Sequence, residues 1–207
     1  IDILLKDGSR RSFSLANAPE DDGLLELHIR HTPGGKFTEH VFNALQTRDI
    51  LRINGPLGSF FLRDDSEKPV ILLASGTGFA PVKAMLEHAF AQGSSRPFIL
   101  YWGAYQRKHF YLTDLPQQWQ MQHTNFRFIP VLSDPIPEDA WEGRVGLVHE
   151  AVLADFPSLA GYEVYACGSP KMVEVAHQTF IQDHGLAEDD FYSDAFFFAA
   201  PTPPSAS

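Results

Sequence analysis

The apolar run Val70-Ile-Leu-Leu-Ala74 passes directly into Ser75-Gly-Thr-Gly78-Phe-Ala-Pro81, and an apolar-rich stretch from Val82 to Ala91 follows. No other segment restricts the fold as much. A run of this length with no polar residue fits a strand buried on both faces, as in a parallel sheet, and the glycines end it at a turn leading into a helix. Gly76 and Gly78 leave space for the close approach of a ligand, while Pro81 has the fixed φ and missing N–H suited to the first helical position. Free N–H groups and a partial positive charge at that helix start would accept a pyrophosphate. The agreement with the usual dinucleotide pattern is partial, because Pro81 replaces the third glycine and no acid closes the next strand. A strand-to-helix turn that binds nothing would read the same way, so other segments must decide.

C-terminal to this turn, strands alternate with helices, which implies a parallel sheet covered on both faces. Expected strands are 98–102, 126–132, 163–167 and 191–198, and expected helices are 114–122, 148–155 and 170–184. Ser169 reads as an N-cap and Gly185 as the stop beyond the last helix. N-terminal to the turn the period is two: Leu25, Leu27 and Ile29 alternate with Glu26, His28 and Arg30, and short strands are separated by Asp7-Gly8, Asp21-Asp22-Gly23 and Gly55-Pro-Leu-Gly58. Further strands are expected at 3–5, 10–15, 52–53 and 59–62, with one helix from about Thr38 to Leu45. The expected fold is an antiparallel β-barrel over 1–66, an α/β parallel-sheet domain over 67–198, and a disordered tail over 199–207. The chain starts without methionine inside Ile1-Asp-Ile-Leu-Leu5, and the barrel is read as incomplete at its N-terminus.

A formal net charge of −10 over 207 residues argues against a nucleic-acid or anionic-membrane surface. The one cysteine, Cys167, leaves no room for a disulfide or a cysteine-ligated cluster within these residues, and a cytoplasmic location is expected. No metal site is expected either, since the nine histidines are scattered; His28 and His31 would face opposite sides of one strand. No nucleophile elbow is present.

Arg11-Ser-Phe-Ser14 brings a cation, an aromatic ring and a hydroxyl to one early strand. Together with Gly34-Gly-Lys-Phe-Thr38, Gly76-Thr-Gly-Phe-Ala-Pro81 and Cys167-Gly-Ser-Pro-Lys-Met172, in this order and spacing, it resembles the ferredoxin–NADP reductase superfamily. The resemblance covers nearly the whole chain. It is closest to bacterial NAD(P)H-flavin reductases and CDP-6-deoxy-glucoseen reductase-like enzymes, through Leu62-Arg-Asp-Asp65, Tyr101-Trp-Gly103, 138–148 and Tyr192-Ser-Asp-Ala-Phe196.

That resemblance implies a flavin-binding barrel, an NAD(P)-binding domain, and hydride transfer from NAD(P)H to FAD. By it, Arg11 would contact the FAD pyrophosphate, Phe13 would pack beside the flavin where many relatives have tyrosine, and Ser14 would hydrogen-bond near the redox-active nitrogen. Gly34, Gly35, Lys36 and Thr38 would form a second flavin-phosphate element. Gly76, Thr77, Gly78 and Pro81 would hold the nicotinamide dinucleotide, and Cys167, Gly168, Pro170 and Met172 would lie at its nicotinamide end. Asp194 and Phe196 match the C-terminal residues beside the flavin. Ser14, Cys167 and Phe196 would adjoin the reacting rings, with Cys167 not a nucleophile. Arg107 and Lys108 could meet a 2′-phosphate, although NADH is favoured through the closest relatives. Electrons would pass to a 2Fe-2S ferredoxin domain, upstream or on a partner. A free-flavin reductase, or a non-catalytic NAD(P)-binding module, remains the alternative.

Overall fold

A computed structural model of the chain describes residues 1–21 and 23–197. Its centre is the expected buried strand, β4 (Val70–Ser75). Successive side chains of a strand point to opposite faces, and here both faces are covered. Leu72 and Ala74 pack with Phe79, Val82 and Leu86 of α2 (Phe79–Ala91), whereas Ile71 and Leu73 pack with Val152, Val173 and Phe180 on the other side. Val70 to Leu73 are each fully buried, a contribution of about 1.5–3 kcal/mol per side chain.

The remaining elements are β5 (Phe98–Ala104), α3 (Asp114–Gln122), β6 (Phe126–Leu132), β7 (Arg144–Val145), α4 (Val148–Asp155), β8 (Glu163–Gly168), α5 (Pro170–Gln182) and β9 (Phe191–Ala195). The sheet order is β7-β6-β5-β4-β8-β9, with every pairing parallel. The order reverses direction at β4, and the carboxyl ends of β4 and β8 stand side by side where open α/β sheets bind ligands.

The N-terminal region carries β1 (Asp2–Leu4), β2 (Arg10–Ser12) and β3 (Arg52–Asn54) in an antiparallel sheet ordered β2-β1-β3, plus α1 (Lys36–Asn43). It differs from the expected strand pattern in two places. The alternating segment 25–29 is not a strand, and its pairing reduces to one antiparallel bridge between Leu15 and Leu27. The Asn17 side chain takes the place of a ladder there, donating to the carbonyls of Asp21 and Leu24 and accepting from the Glu26 N–H. Residues 59–62 form a bend rather than a strand, with Leu62 buried against the α2 side of the large sheet. The last strand ends at Ala195, so of the expected 191–198 only Phe198 and the expected tail 199–207 lie outside the described residues.

Arg96 fastens the segment between the two regions. Its guanidinium donates to the carbonyls of Lys68 (2.8 Å) and Arg63 (2.7 Å) and pairs with Glu163 at 2.8 Å, with Arg96 and Glu163 both buried. The Tyr165 hydroxyl donates to the same carboxylate and accepts from the Arg63 N–H. Among the described residues no helix is long and apolar enough to cross a membrane.

Candidate functional site

The turns after β4 and β8 interlock. A side chain at Gly78 would overlap the Cys167 carbonyl, and one at Gly168, where φ is +128°, would overlap Ser75. The Ser75 hydroxyl accepts the Ser169 N–H at 2.8 Å. Ser169 is the N-cap of α5, but its own side chain makes no capping hydrogen bond, so here the cap residue serves the turn through its backbone. α2 begins at Phe79 after a 3-10 turn over Gly76–Gly78, which makes Pro81 the third helical residue rather than the first. Proline is tolerated there because the first four N–H groups of a helix lack intrahelical partners.

Gly76 itself faces open space. At φ +53° a side chain there would meet only Arg30 Nη1, 4.0 Å away, and its carbonyl accepts Trp102 Nε1–H at 3.1 Å. No side chain caps the start of α2. An open glycine, an uncapped helix start and a nearby guanidinium make a cradle that fits a dinucleotide pyrophosphate.

Across this crevice the N-terminal region contributes Ser14, whose Oγ lies 3.4 Å from Asp194 Oδ2, a long contact between residues 180 apart in sequence. Asp194 pairs in register with Cys167 on β8, and the Phe196 N–H donates to the Gly168 carbonyl at 2.8 Å. Burial pushes the Asp194 carboxyl above the usual range, partly offset by Ser14. Burial, with Asp194 adding to it, pushes the Cys167 thiol well up, so the group is a neutral thiol and not a nucleophile. The fold therefore gathers Ser14, Gly76, Gly78, Cys167, Gly168, Asp194 and Phe196 at one place.

The other expected site residues are engaged locally. The Arg11 guanidinium donates to the Arg10 carbonyl (2.7 Å), Phe13 packs on Phe37 with ring centroids 5.4 Å apart, and Lys36 pairs with Asp7 at 2.8 Å. α1 starts at Lys36, two residues before the expected Thr38. Thr38 Oγ1 instead ties its helix to the preceding loop, accepting the Thr32 N–H and donating to the Thr32 carbonyl. Gly34, at φ +75°, donates its N–H to Glu39. Pro170 opens α5, and Met172 packs against the core on the α4 and α5 side. Arg107 and Lys108 are exposed in a 3-10 turn, with Arg107 bound to Asp139.

Comparison with known proteins assigns this architecture. Residues 3–62 match the oxidoreductase FAD-binding domain and residues 72–178 the oxidoreductase NAD-binding domain. The chain belongs to the FAD- and NAD-binding oxidoreductases. Within this oxidoreductase family it is 45% identical over 196 residues to the CDP-6-deoxy-L-threo-D-glycero-4-hexulose-3-dehydrase reductase of Yersinia pestis, covering 95% of the chain and 58% of that protein. It is 33% identical to the NAD(P)H-flavin reductase of Vibrio harveyi, covering 95% of the chain and 84% of that protein. The crystal structure of the cytochrome P450 reductase GcoB from Amycolatopsis superposes with a TM-score of 0.86 at 33% identity, over 94% of the chain and 59% of that structure.

The chain thus spans little more than half of some oxidoreductase relatives. A concavity of about 800 Å³, lined in part by Arg63, Lys68, Glu163 and Tyr192, opens at the amino ends of β4 and β8, opposite the crevice. Among the described residues, no three His, Cys, Asp or Glu side chains converge as for a metal. Arg30 and Trp102 approach Gly76, while His28 and Tyr111 pack on Phe79 and Trp102 beside it, and sequence reasoning gave none of the four a role. Trp102 stands in the Tyr101-Trp-Gly103 stretch that carried the resemblance but reads there as part of the apolar run of β5, Arg30 and His28 lie on the segment misread as a plain strand, and Tyr111 sits in an unpatterned loop.

Proposed function

We propose that the chain is the flavin- and nicotinamide-binding part of a reductase that takes hydride from NADH onto FAD and hands the electrons to an acceptor. The observation that carries this is the approach of Ser14 to Asp194, which brings the flavin-binding region onto the crevice above Gly76 and Cys167. When bound, the two cofactors supply the redox chemistry, hydride passing from nicotinamide C4 to flavin N5. The chain's own part is to bind, orient and exclude water. In this reading Arg30 and the start of α2 hold the dinucleotide pyrophosphate, Gly76 admits its backbone, Gly78 lets the turn close on the Cys167 carbonyl rather than touching the ligand, and Ser14 offers a hydroxyl to the flavin nitrogen. Phe196 would wall the ring pair, with the fully buried Cys167 behind that wall. Arg11, Lys36 and Thr38 would serve the FAD phosphates once released from the local partners they now hold, with Phe13 beside the ring. The boundaries proposed are 1–66 and 67–198.

NADH is preferred to NADPH in this reading only through the relatives, since Arg107 and Lys108 both stay exposed, Arg107 spending one guanidinium N–H on the Asp139 carbonyl. For the acceptor, two of the three relatives named above carry a partner in their names, a dehydrase and a cytochrome P450. We therefore favour a protein acceptor reached through a 2Fe-2S centre outside these residues. The Vibrio harveyi flavin reductase, matched over most of its length, favours free flavin as the second reading. A cytoplasmic location accords with a lone buried thiol and a nicotinamide donor.

The test is anaerobic addition of NADH to the purified protein reconstituted with FAD. Loss of the flavin's visible absorption is expected within seconds, faster with NADH than with NADPH. A protein that takes up FAD and stays yellow, or cannot be reconstituted at all, refutes the reading and leaves a nucleotide-binding module.

A further inference from the structure

Four side chains form a hydrogen-bonded chain between the two regions beside the Gly76 turn. The Tyr111 hydroxyl lies 2.7 Å from His28 Nδ1, His28 Nε2 lies 2.9 Å from Glu26 Oε1, and Glu26 Oε2 lies 3.0 Å from Lys83 Nζ. Lys83, buried on α2, also donates to the Ala16 carbonyl (2.9 Å) and to Glu87. The direction of the chain follows from donor chemistry. A carboxylate only accepts, so His28 Nε2 carries a proton, and in the neutral ring Nδ1 is then the acceptor for the Tyr111 hydroxyl. Burial would raise the Glu26 carboxyl, but His28 and Lys83 outweigh it and hold it ionised; Tyr111 is half-exposed, and its partial desolvation beside Glu26 keeps it a hydroxyl.

Tyr111 and His28 pack on Trp102 and Phe79, the aromatic residues beside the turn. Tyr111 meets Trp102 edge-on at 5.2 Å, Trp102 stacks on Phe79 at 4.2 Å, and Trp102 holds the Gly76 carbonyl. The His28 ring lies 6.3 Å from Phe79. Segment 24–30 has little ladder of its own, since its pairing is a single bridge at Leu27. Side chains must therefore fix where it sits.

We propose that Tyr111 is a positioning residue, clamped by His28 through this chain, that sets the Gly76 turn against the flavin-binding region and thereby the spacing of nicotinamide and flavin. This role rests on the hydride-transfer reading above. A misplacement of about 1 Å between reacting groups costs roughly a hundredfold in rate, so a clamp beside the turn acts on the limiting rate more than on affinity.

The experiment compares Tyr111→Phe, His28→Leu and their double variant with the unaltered chain. Expected for each single variant is a ten- to hundredfold slower flavin reduction at saturating NADH, with the half-saturating NADH concentration and FAD affinity within about twofold. The double variant should be no slower than the worse single one, because both break one link. A long-wavelength charge-transfer absorbance between reduced flavin and oxidised nicotinamide should fade in parallel. In the chain without cofactors, amide hydrogen exchange over 24–32 and 105–112 should rise while 163–182 stays unchanged. Unaltered exchange in Tyr111→Phe overturns the proposal, as does raised exchange with an unaltered reduction rate. If NADH fails to reduce the unaltered chain, the hydride reading falls and this role for Tyr111 with it; the exchange data then report only whether the clamp exists.

Discussion

Removing the charge of Glu163 should destabilise the whole chain. The pair with Arg96 is almost dry, the side chains being 5% and 3% exposed, at 2.8 Å. In Glu163→Gln the guanidinium keeps the carbonyls of Lys68 and Arg63 but loses its counter-charge. Breaking a buried pair from one side costs about 3–5 kcal/mol, a large share of the roughly 5–15 kcal/mol that holds a folded chain together. At about 2–4 °C per kcal/mol for a chain of this size, Tm should fall by roughly 6–20 °C. Circular dichroism melts at pH 7, with urea midpoints as a check on two-state behaviour, measure it. The Arg96→Met/Glu163→Leu double variant should recover part of the loss, since no buried charge remains although the Lys68 and Arg63 carbonyls lose their donor.

The pH dependence has a definite sign. Burial raises the Glu163 carboxyl, but hydrogen bonds from Ser66, Arg96 and Tyr165 outweigh it, and the net shift is below 4.5. A depressed folded-state value means the stabilisation is complete above the unfolded value and is lost as pH falls through the folded one. The gap between Glu163→Gln and the unaltered chain should therefore close in acid, below about pH 4.5. A Tm loss under about 3 °C at pH 7, or a double variant as unstable as the single one, refutes the reasoning.

Gly78→Ala would drive a methyl group into the Cys167 carbonyl, and we expect a cost of about 1–3 kcal/mol with weaker NADH binding, seen in melts and NADH titration. Trp102→Phe removes the donor to the Gly76 carbonyl and should cost about 1–3 kcal/mol while raising the half-saturating NADH concentration in flavin reduction. Asp194 is raised above 3.8 chiefly by burial, so its ionisation lowers stability as pH climbs through the folded value. Asp194→Asn should gain on the unaltered chain as pH rises above 3.8, and a Tm difference that does not change with pH refutes this.

The α/β half was legible because its signals are local. The run at 70–74, the helices 114–122 and 148–155 and the strand 126–132 each combine apolar residues with clear stops, and the expected spans match. The N-terminal half was less so. Alternation at 25–29 reflects side chains shared between two regions rather than a ladder, and only the fold reveals that Asn17 satisfies the backbone there. The meeting of Ser14 with Asp194 was reachable only through the resemblance, since no spacing rule links residues so far apart. Tyr111 and His28 were illegible for the same reason, each being unremarkable until the other is beside it.

The reversal of strand order at β4 also bears on how the chain is made. β4 acquires its neighbour β8 only after residues 163–168 emerge, so this apolar strand must wait with one edge bare while residues 76–162 are made. Such an edge invites pairing with other nascent chains. A product stopped before β8 would be a sticky intermediate rather than a smaller working protein, and the interlocked glycines at 78 and 168 would have nothing to close against.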